Sequence, residues 1–339
     1  MSALPASKRA SPATPSGGPL HVGGIDLGGT KILSVVASAA GETLAQDRRQ
    51  TRAHEGHRPV IARMVASLKK AAERGGLDAG RLAAVGVVAP GPIDYNRGVV
   101  GDVPNLPGWN EVPLAEEMRA ALGVPIFVDN DATAAVLGEC VFGAGRGYRH
   151  VLYVTVSTGI GGGIVVNGRV YRGASGAAGE VGHQVVQEGG PLCSCGRRGC
   201  LEELASGTAI AHRAHELIAE GKGTGIARMA GEDEPVTAKT VHRAALEGDP
   251  EARRLIEDAG HYLGVGLANL VNIFNPELII LGGGMTNMGR MLLDPARRVV
   301  RREPFAQPRK DVRIVRAGLG PRVGALGAVA LALDGLGHR

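Results

Sequence analysis

Aromatic side chains are scarce in this sequence, with one Trp, five Tyr and four Phe among 339 residues. A core built from such a chain is aliphatic. No aromatic residues interleave with the Arg-rich stretches to stack the bases of a nucleic acid. Long uninterrupted apolar runs are also lacking, which excludes a bilayer-spanning helix. The first twenty residues are rich in Ala, Pro and Ser and contain no apolar core of the kind that drives secretion. Residues 1–20 therefore read as a disordered tail, and the protein as cytoplasmic. Only four cysteines occur, and three of them fall within eight residues. That spacing argues against a disulfide framework and for a metal site in a reducing compartment.

What the chain does have is an ordinary globular balance, 44% hydrophobic and 21% charged residues, enough for a sizeable core and long enough for two domains. The net charge is +5, but the basic residues are scattered. Arg297, Arg298, Arg301 and Arg302 fall on an amphipathic helical pattern and read as a solvated face, so no nucleic-acid partner is expected. Glycine is abundant, 53 residues, and clustered, as expected for turns and backbone-lined binding loops.

Hydrophobic spacing places strands at 22–25, 31–37 and 42–48, a helix at 61–74 and a buried strand at 82–88. A helix at 114–122, a strand at 125–128 and a helix at 132–142 follow. The pattern then restarts with strands at 151–156 and 163–166. A loop-rich stretch spans 168–201. Helices come next at 208–220, 238–247 and 251–274, the last stopped by Asn275-Pro276. A strand at 278–281, a further helix, a strand at 312–315 and a terminal helix at 323–333 complete the chain. Each half opens with strand, glycine- and threonine-containing turn, and second strand. A duplicated pair of α/β domains facing one cleft produces such a restart.

The two opening turns are Asp26-Leu27-Gly28-Gly29-Thr30-Lys31 and Ser157-Thr158-Gly159-Ile160-Gly161-Gly162-Gly163. Glycine lets backbone N–H groups approach an anion, threonine adds hydroxyl donors, and Lys31 adds charge. Neither turn is a P-loop or a dinucleotide fingerprint, because both join strands instead of opening a helix. Tight hairpins also want glycine, so phosphate binding and simple turn geometry both remain open at this point. Gly282-Gly283-Gly284 after a buried strand favours the first. Asp26, just before its turn, is either a partner for Mg²⁺ or a hydrogen-bond acceptor for the turn itself.

Val128-Asp129-Asn130-Asp131 lies where a strand passes into a helix, the place where ligands collect in open α/β sheets. Phosphoryl transfer to an alcohol needs a carboxylate to accept the hydroxyl proton. Asp131 fits that role and Asn130 fits a neighbouring hydroxyl. Asp129 competes as the base, and helix capping competes as the explanation of all three. Cys193-Ser194-Cys195-Gly196-Arg197-Arg198-Gly199-Cys200, with His183 ten residues upstream, supplies three thiols and an imidazole, a closed tetrahedral set for structural zinc. A redox-active or merely buried cysteine cluster is the alternative. Cys140, alone on a helix, reads as packing. A zinc clamp here rigidifies a segment carrying Glu180, His183 and Glu202, side chains suited to sugar hydroxyls.

Taken in order, Gly24-Ile25-Asp26-Leu27-Gly28-Gly29-Thr30-Lys31, Pro104-Asn105-Leu106-Pro107-Gly108-Trp109, Asn130-Asp131-Ala132, Gly179-Glu180-Val181-Gly182-His183 and the 193–202 run resemble the ROK family. That family contains bacterial glucokinases, other hexose and N-acetylhexosamine kinases, and sugar-responsive repressors. The resemblance implies a two-domain α/β actin-like ATPase fold of the hexokinase type, related to ribonuclease H. Expected boundaries are 21–130 for a small domain joined by a terminal helix at 322–339, and 131–321 for a large domain with a zinc-binding loop at 183–200. It implies Asp131 as the base that deprotonates the sugar 6-hydroxyl. Gly91, Asn105, Asn130, Glu180, His183 and Glu202 hold the sugar. Asp26, Gly28, Gly29, Thr30, Lys31, Thr158 and Gly159 bind ATP with Mg²⁺, while Gly283 and Gly284 lie against the adenosine. His183, Cys193, Cys195 and Cys200 hold zinc. A homodimer or homotetramer is implied as well. Thr133 departs from the family, which often has Asn there.

The expected activity is ATP-dependent phosphorylation of glucose at the 6-hydroxyl. Mannose, fructose, N-acetylglucosamine and N-acetylmannosamine are the alternative acceptors. A sugar-responsive repressor needs a DNA-binding helix-turn-helix before the first glycine turn, and the Pro- and Ser-rich stretch there does not read as one. A non-catalytic sugar- or zinc-binding protein has no use for Asp131.

Overall fold

The computed structural model describes residues 19–103, 105–231 and 235–338. The tail expected over 1–20 lies outside the described residues as far as residue 18, and so does Pro104, the first residue of the 104–109 motif. The chain divides into two compact units, one running to Ala134 and resuming at Gly324, the other covering Ala135–Val323.

The first unit opens on an antiparallel meander, β1 (His21–Leu27), β2 (Lys31–Ser38) and β3 (Thr43–Gln50). Helix α1 (His57–Arg74) follows, with Val60, Ile61, Met64, Leu68, Ala71 and Ala72 on its buried face at helical spacing. It starts a turn earlier than its apolar pattern indicates, because Pro59 is tolerated in a first turn that needs no intrahelical N–H partner. Strand β4 (Val85–Ala89) is buried throughout, as a strand covered on both faces must be. The short hairpin β5 (Ile93–Asp94) and β6 (Val99–Val100) precedes α2 (Leu114–Leu122), which ends on Gly123 in the left-handed region (φ 73°). Strand β7 (Ile126–Asn130) completes a five-stranded sheet of order β3-β2-β1-β4-β7, with β4 parallel to both its neighbours.

Helix α3 (Asp131–Phe142) carries the chain into the second unit. There β8 (Val151–Val156), β9 (Ile160–Val166) and β10 (Arg169–Val170) form a second antiparallel meander. The expected strand start at Gly163 is corrected to Ile160: Gly161, Gly162 and Gly163 pair in register with Thr155, Val154 and Tyr153. Cross-strand pairing outweighs the poor strand propensity of three glycines. Helices α4 (Leu201–Ala205), α5 (Gly207–Ala219), α6 (Thr224–Ala230), α7 (Ala238–Leu246) and α8 (Pro250–Phe274) follow the loop-rich stretch. Asp249 caps α8 by accepting the N–H of Ala252 at 2.8 Å, and Asn275 ends it at φ 45°. Then come β11 (Leu278–Gly282), α9 (Arg290–Val300), α10 (Ala306–Asp311), β12 (Arg313–Arg316) and α11 (Val323–Gly335). The second sheet runs β10-β9-β8-β11-β12, again an antiparallel meander followed by two parallel strands. The two units therefore repeat one strand topology, which is the restart read in the sequence.

Helix α11 packs on the first unit's sheet at two glycines. A Cβ on Gly24 would fall 2.7 Å from the Ala325 carbonyl oxygen, and one on Gly86 would overlap that of Ala328. Only glycine lets a helix backbone come this close to a strand.

Glu139 on α3 is fully buried, and its carboxylate accepts three backbone N–H groups: Ala144 at 2.8 Å, Gly318 at 3.1 Å and Leu319 at 2.9 Å. One side chain thus ties α3 to the segment that follows β12. Glu139→Ala leaves three backbone donors without their acceptor, the Leu319 N–H in a buried position, and is expected to cost on the order of 1–3 kcal/mol, read as a lower urea midpoint. An unchanged midpoint would contradict this role.

Candidate functional site

In the first unit, the β1–β2 turn is pinned from two sides. Gly28 N–H donates to the Lys31 carbonyl at 2.9 Å, and Thr51 donates its hydroxyl to the Gly28 carbonyl at 2.6 Å and its N–H to that of Thr30 at 3.0 Å. Gly29 lies against Asn105, whose carbonyl oxygen would sit 3.3 Å from a Cβ at that position. Asp26, next to last in β1, lies beside this turn, with its carboxylate packed over Gly324 in the first turn of α11. Burial raises its pKa, the charge of Asp131 adds to the rise, and Lys31 opposes it.

Asp131 begins α3 directly after β7. Its Oδ1 accepts the Ala132 N–H at 2.7 Å, and Asn130 Oδ1 accepts the same N–H at 2.9 Å, so capping is shared between the two. Asn130 donates its side-chain N–H to the Gly91 carbonyl at 3.2 Å. That carbonyl belongs to a left-handed glycine (φ 87°), which brings Gly91 into the group. Asp129, the rival base, is only 3% exposed and accepts the Asn130 N–H at 2.9 Å, whereas Asp131 is exposed. A base must reach its substrate, so the geometry favours Asp131. Surrounding protein desolvates the Asp131 carboxyl and raises its pKa against the pull of the Ala132 N–H. The sign follows: the charged form is penalised, so this group's cost to folding vanishes below the ordinary aspartate range and is felt above the raised pKa. Since a base must be ionised, the acid limb of kcat/KM against pH is expected above the ordinary aspartate range. An acid limb at or below that range would contradict the raised pKa of Asp131.

In the second unit, the β8–β9 turn exposes Thr158 and closes with Ser157 N–H on the Gly159 carbonyl at 2.9 Å. Thr158 and Gly284 both line a cavity of about 760 Å³, together with Thr208, His212, His215 and Lys239. Gly283 instead packs on β8 at φ 85°, where a Cβ would fall 2.6 Å from the Val156 carbonyl carbon. Thr208, His212 and His215 carry no local motif. Their spacing of four and three residues puts them on one face of α5, and that polar stripe is the only signal that marks them.

The four expected zinc ligands converge. The donor atoms of His183, Cys193, Cys195 and Cys200 all lie within 4.8 Å of one another. Cys193 Sγ is 3.6 Å from His183 Nδ1, and Cys195 Sγ is 3.6 Å from Cys200 Sγ. Tetrahedral zinc with bonds of about 2.0–2.3 Å needs ligand atoms roughly 3.5–3.8 Å apart, so the donor set fits the ion. Contact through Nδ1 leaves the other imidazole nitrogen for a hydrogen bond. All four cysteines are unpaired thiols. Glu180 is exposed at the start of the 3-10 turn Val181–His183. Glu202 lies two residues past Cys200, in the first turn of α4.

Twin sheets of this topology, each opening on a glycine turn, define an actin-like ATPase fold of the hexokinase type. The chain belongs to the ROK family, whose profile matches residues 22–335. It is 36% identical over 314 residues to a glucokinase from Thermotoga maritima, covering 93% of this chain and 98% of that protein. A putative xylose repressor from Caldicellulosiruptor is 34% identical, covering 92% of this chain and 77% of that protein. Among solved structures, a ROK family glucokinase from Streptomyces griseus in complex with glucose and AMPPNP superposes with a TM-score of 0.76 at 34% identity, covering 93% of this chain and 99% of that one. Among the described residues, no helix is long and apolar enough to cross a membrane.

Proposed function

We propose that the protein is an ATP-dependent glucokinase that converts glucose to glucose 6-phosphate. The observation that carries this is Asp131, an exposed residue at the carboxyl end of β7 whose carboxyl is partly desolvated by the protein around it, with Asn130 beside it and Asp129 sealed away. Asp131 accepts the proton of the 6-hydroxyl, the freed oxygen attacks the γ-phosphorus of ATP, and the bond to ADP breaks. Asn105, Asn130, Glu180, His183, Glu202 and the backbone at Gly91 bind the remaining hydroxyls. The turns at Gly28–Lys31 and Thr158–Gly159 hold phosphates, and the cavity bordered by Gly284 takes the adenosine, with Gly283 supporting it. Mg²⁺, when bound with ATP, offsets charge on the phosphate oxygens, and Asp26 is the carboxylate placed to serve it. Zinc, when bound by His183, Cys193, Cys195 and Cys200, fixes the segment carrying Glu180, His183 and Glu202. Glucose as acceptor follows from the likeness to glucokinases. A cytoplasmic homodimer or homotetramer acting on carbohydrate in glycolysis remains part of this proposal, as the family resemblance implies.

A sugar-responsive regulator is the second reading, favoured by the likeness to a xylose repressor. An ADP-release assay over glucose, mannose, fructose, N-acetylglucosamine, N-acetylmannosamine and xylose separates the two. The kinase turns over glucose fastest. Sugar binding without ADP release supports the regulator.

A further inference from the structure

Glu202 is assigned above to the sugar, yet one of its oxygens is already committed elsewhere. Oε2 accepts the backbone N–H of Ile160 at 2.8 Å, across 42 residues of sequence. Ile160 directly follows Thr158 and Gly159 in the β8–β9 turn. A Cβ on Gly159 would fall 2.5 Å from that same oxygen, so the glycine is what admits the carboxylate to the turn. The segment after Glu202 grips the turn again: Gly207 N–H donates to the Ser157 carbonyl at 2.7 Å and Thr208 N–H to that of Thr158 at 3.2 Å. Neighbouring Glu203 pairs with His212 at 3.3 Å, and His212 lines the cavity that also includes Ser157 and Thr158.

We infer that Glu202 is a positioning residue for the donor-phosphate turn, with Oε2 holding the Ile160 N–H while Oε1 takes a sugar hydroxyl. One rigid carboxylate then links acceptor and donor binding within the second unit. A sugar hydroxyl on Oε1 orders the group that shapes the turn, and an ordered turn holds Oε1 in place for the sugar. The coupling is reciprocal. This inference rests on the proposed reading of Thr158 and Gly159 as a phosphate site.

The test is calorimetric titration with ADP alone and with glucose alone. Loss of the charge-assisted hydrogen bond to Ile160 slackens the turn, so Glu202→Ala is expected to weaken ADP about tenfold although no sugar is present. Glu202→Gln keeps an amide oxygen for Ile160 and is expected to hold ADP affinity within about twofold of native while glucose weakens about tenfold. If Glu202→Ala does not fold by circular dichroism, Gly159→Ala serves instead. Its methyl displaces Oε2, and it is expected to weaken glucose although it lies in the nucleotide turn. Native-like ADP affinity in Glu202→Ala, equal ADP losses in the Ala and Gln variants, or unchanged glucose affinity in Gly159→Ala overturns the inference alone. A native protein that binds no ADP overturns the phosphate-site reading and the inference together.

Discussion

Asp131→Asn is expected to lower kcat for glucose phosphorylation by about a thousandfold, with glucose affinity within a few fold of native. A general base contributes roughly 10²–10⁴ in rate, and Asn keeps the shape and the oxygen that accepts the Ala132 N–H while losing the ability to take a proton. Loss in kcat without loss in binding marks an interaction made only in the transition state. The companion substitution, Asp129→Asn, touches a carboxylate that is 3% exposed, and its effect is expected in stability, not in proton transfer. Full activity in Asp131→Asn, measured by ADP release at saturating glucose, would remove Asp131 as the base.

Removing the metal is expected to have the second large effect. The His183–Cys200 donor set is preformed, and closing it with zinc ties the residues before α4 to the 3-10 turn at Val181–His183. Protein purified without chelators is expected to contain about one zinc per chain. Cys200→Ser should lose it, with a lower Tm and weaker glucose binding, since metal binding is coupled to folding of its site. The glucose effect arises because Cys200 is the N-cap of α4 and Glu202 sits in its first turn. Zinc content near zero in such a preparation, or native glucose affinity in a zinc-free variant, would contradict this account.

The sequence spelled out elements wherever one local rule dominated. Leu114–Leu122 and Val151–Val156 end where their apolar periods end, and Gly123 and Asn275 stop helices in the left-handed geometry that those residues tolerate. It failed where partners far along the chain decide. The start of β9 depends on pairing with β8, and the five-residue helix α4 is too short to display a period. The strand expected from Leu82 begins at Val85, because Asp78 caps a 3-10 turn over Ala79–Arg81 through the Gly80 N–H. The candidate site follows the same division. Short motifs with strong chemistry, such as the cysteine loop and Asn130-Asp131, could be read directly. The bond from Glu202 to Ile160 and the cavity face of α5 could not, because nothing local records which distant backbone group a carboxylate will meet.

The central claim is transfer of the ATP γ-phosphoryl group to the glucose 6-hydroxyl. It is tested most directly by following the reaction of glucose and Mg-ATP by ³¹P NMR. Loss of the γ-phosphorus signal with matching growth of glucose 6-phosphate and ADP is expected, and no such growth with Asp131→Asn. Unchanged ATP, or release of inorganic phosphate with no sugar phosphate, would contradict it.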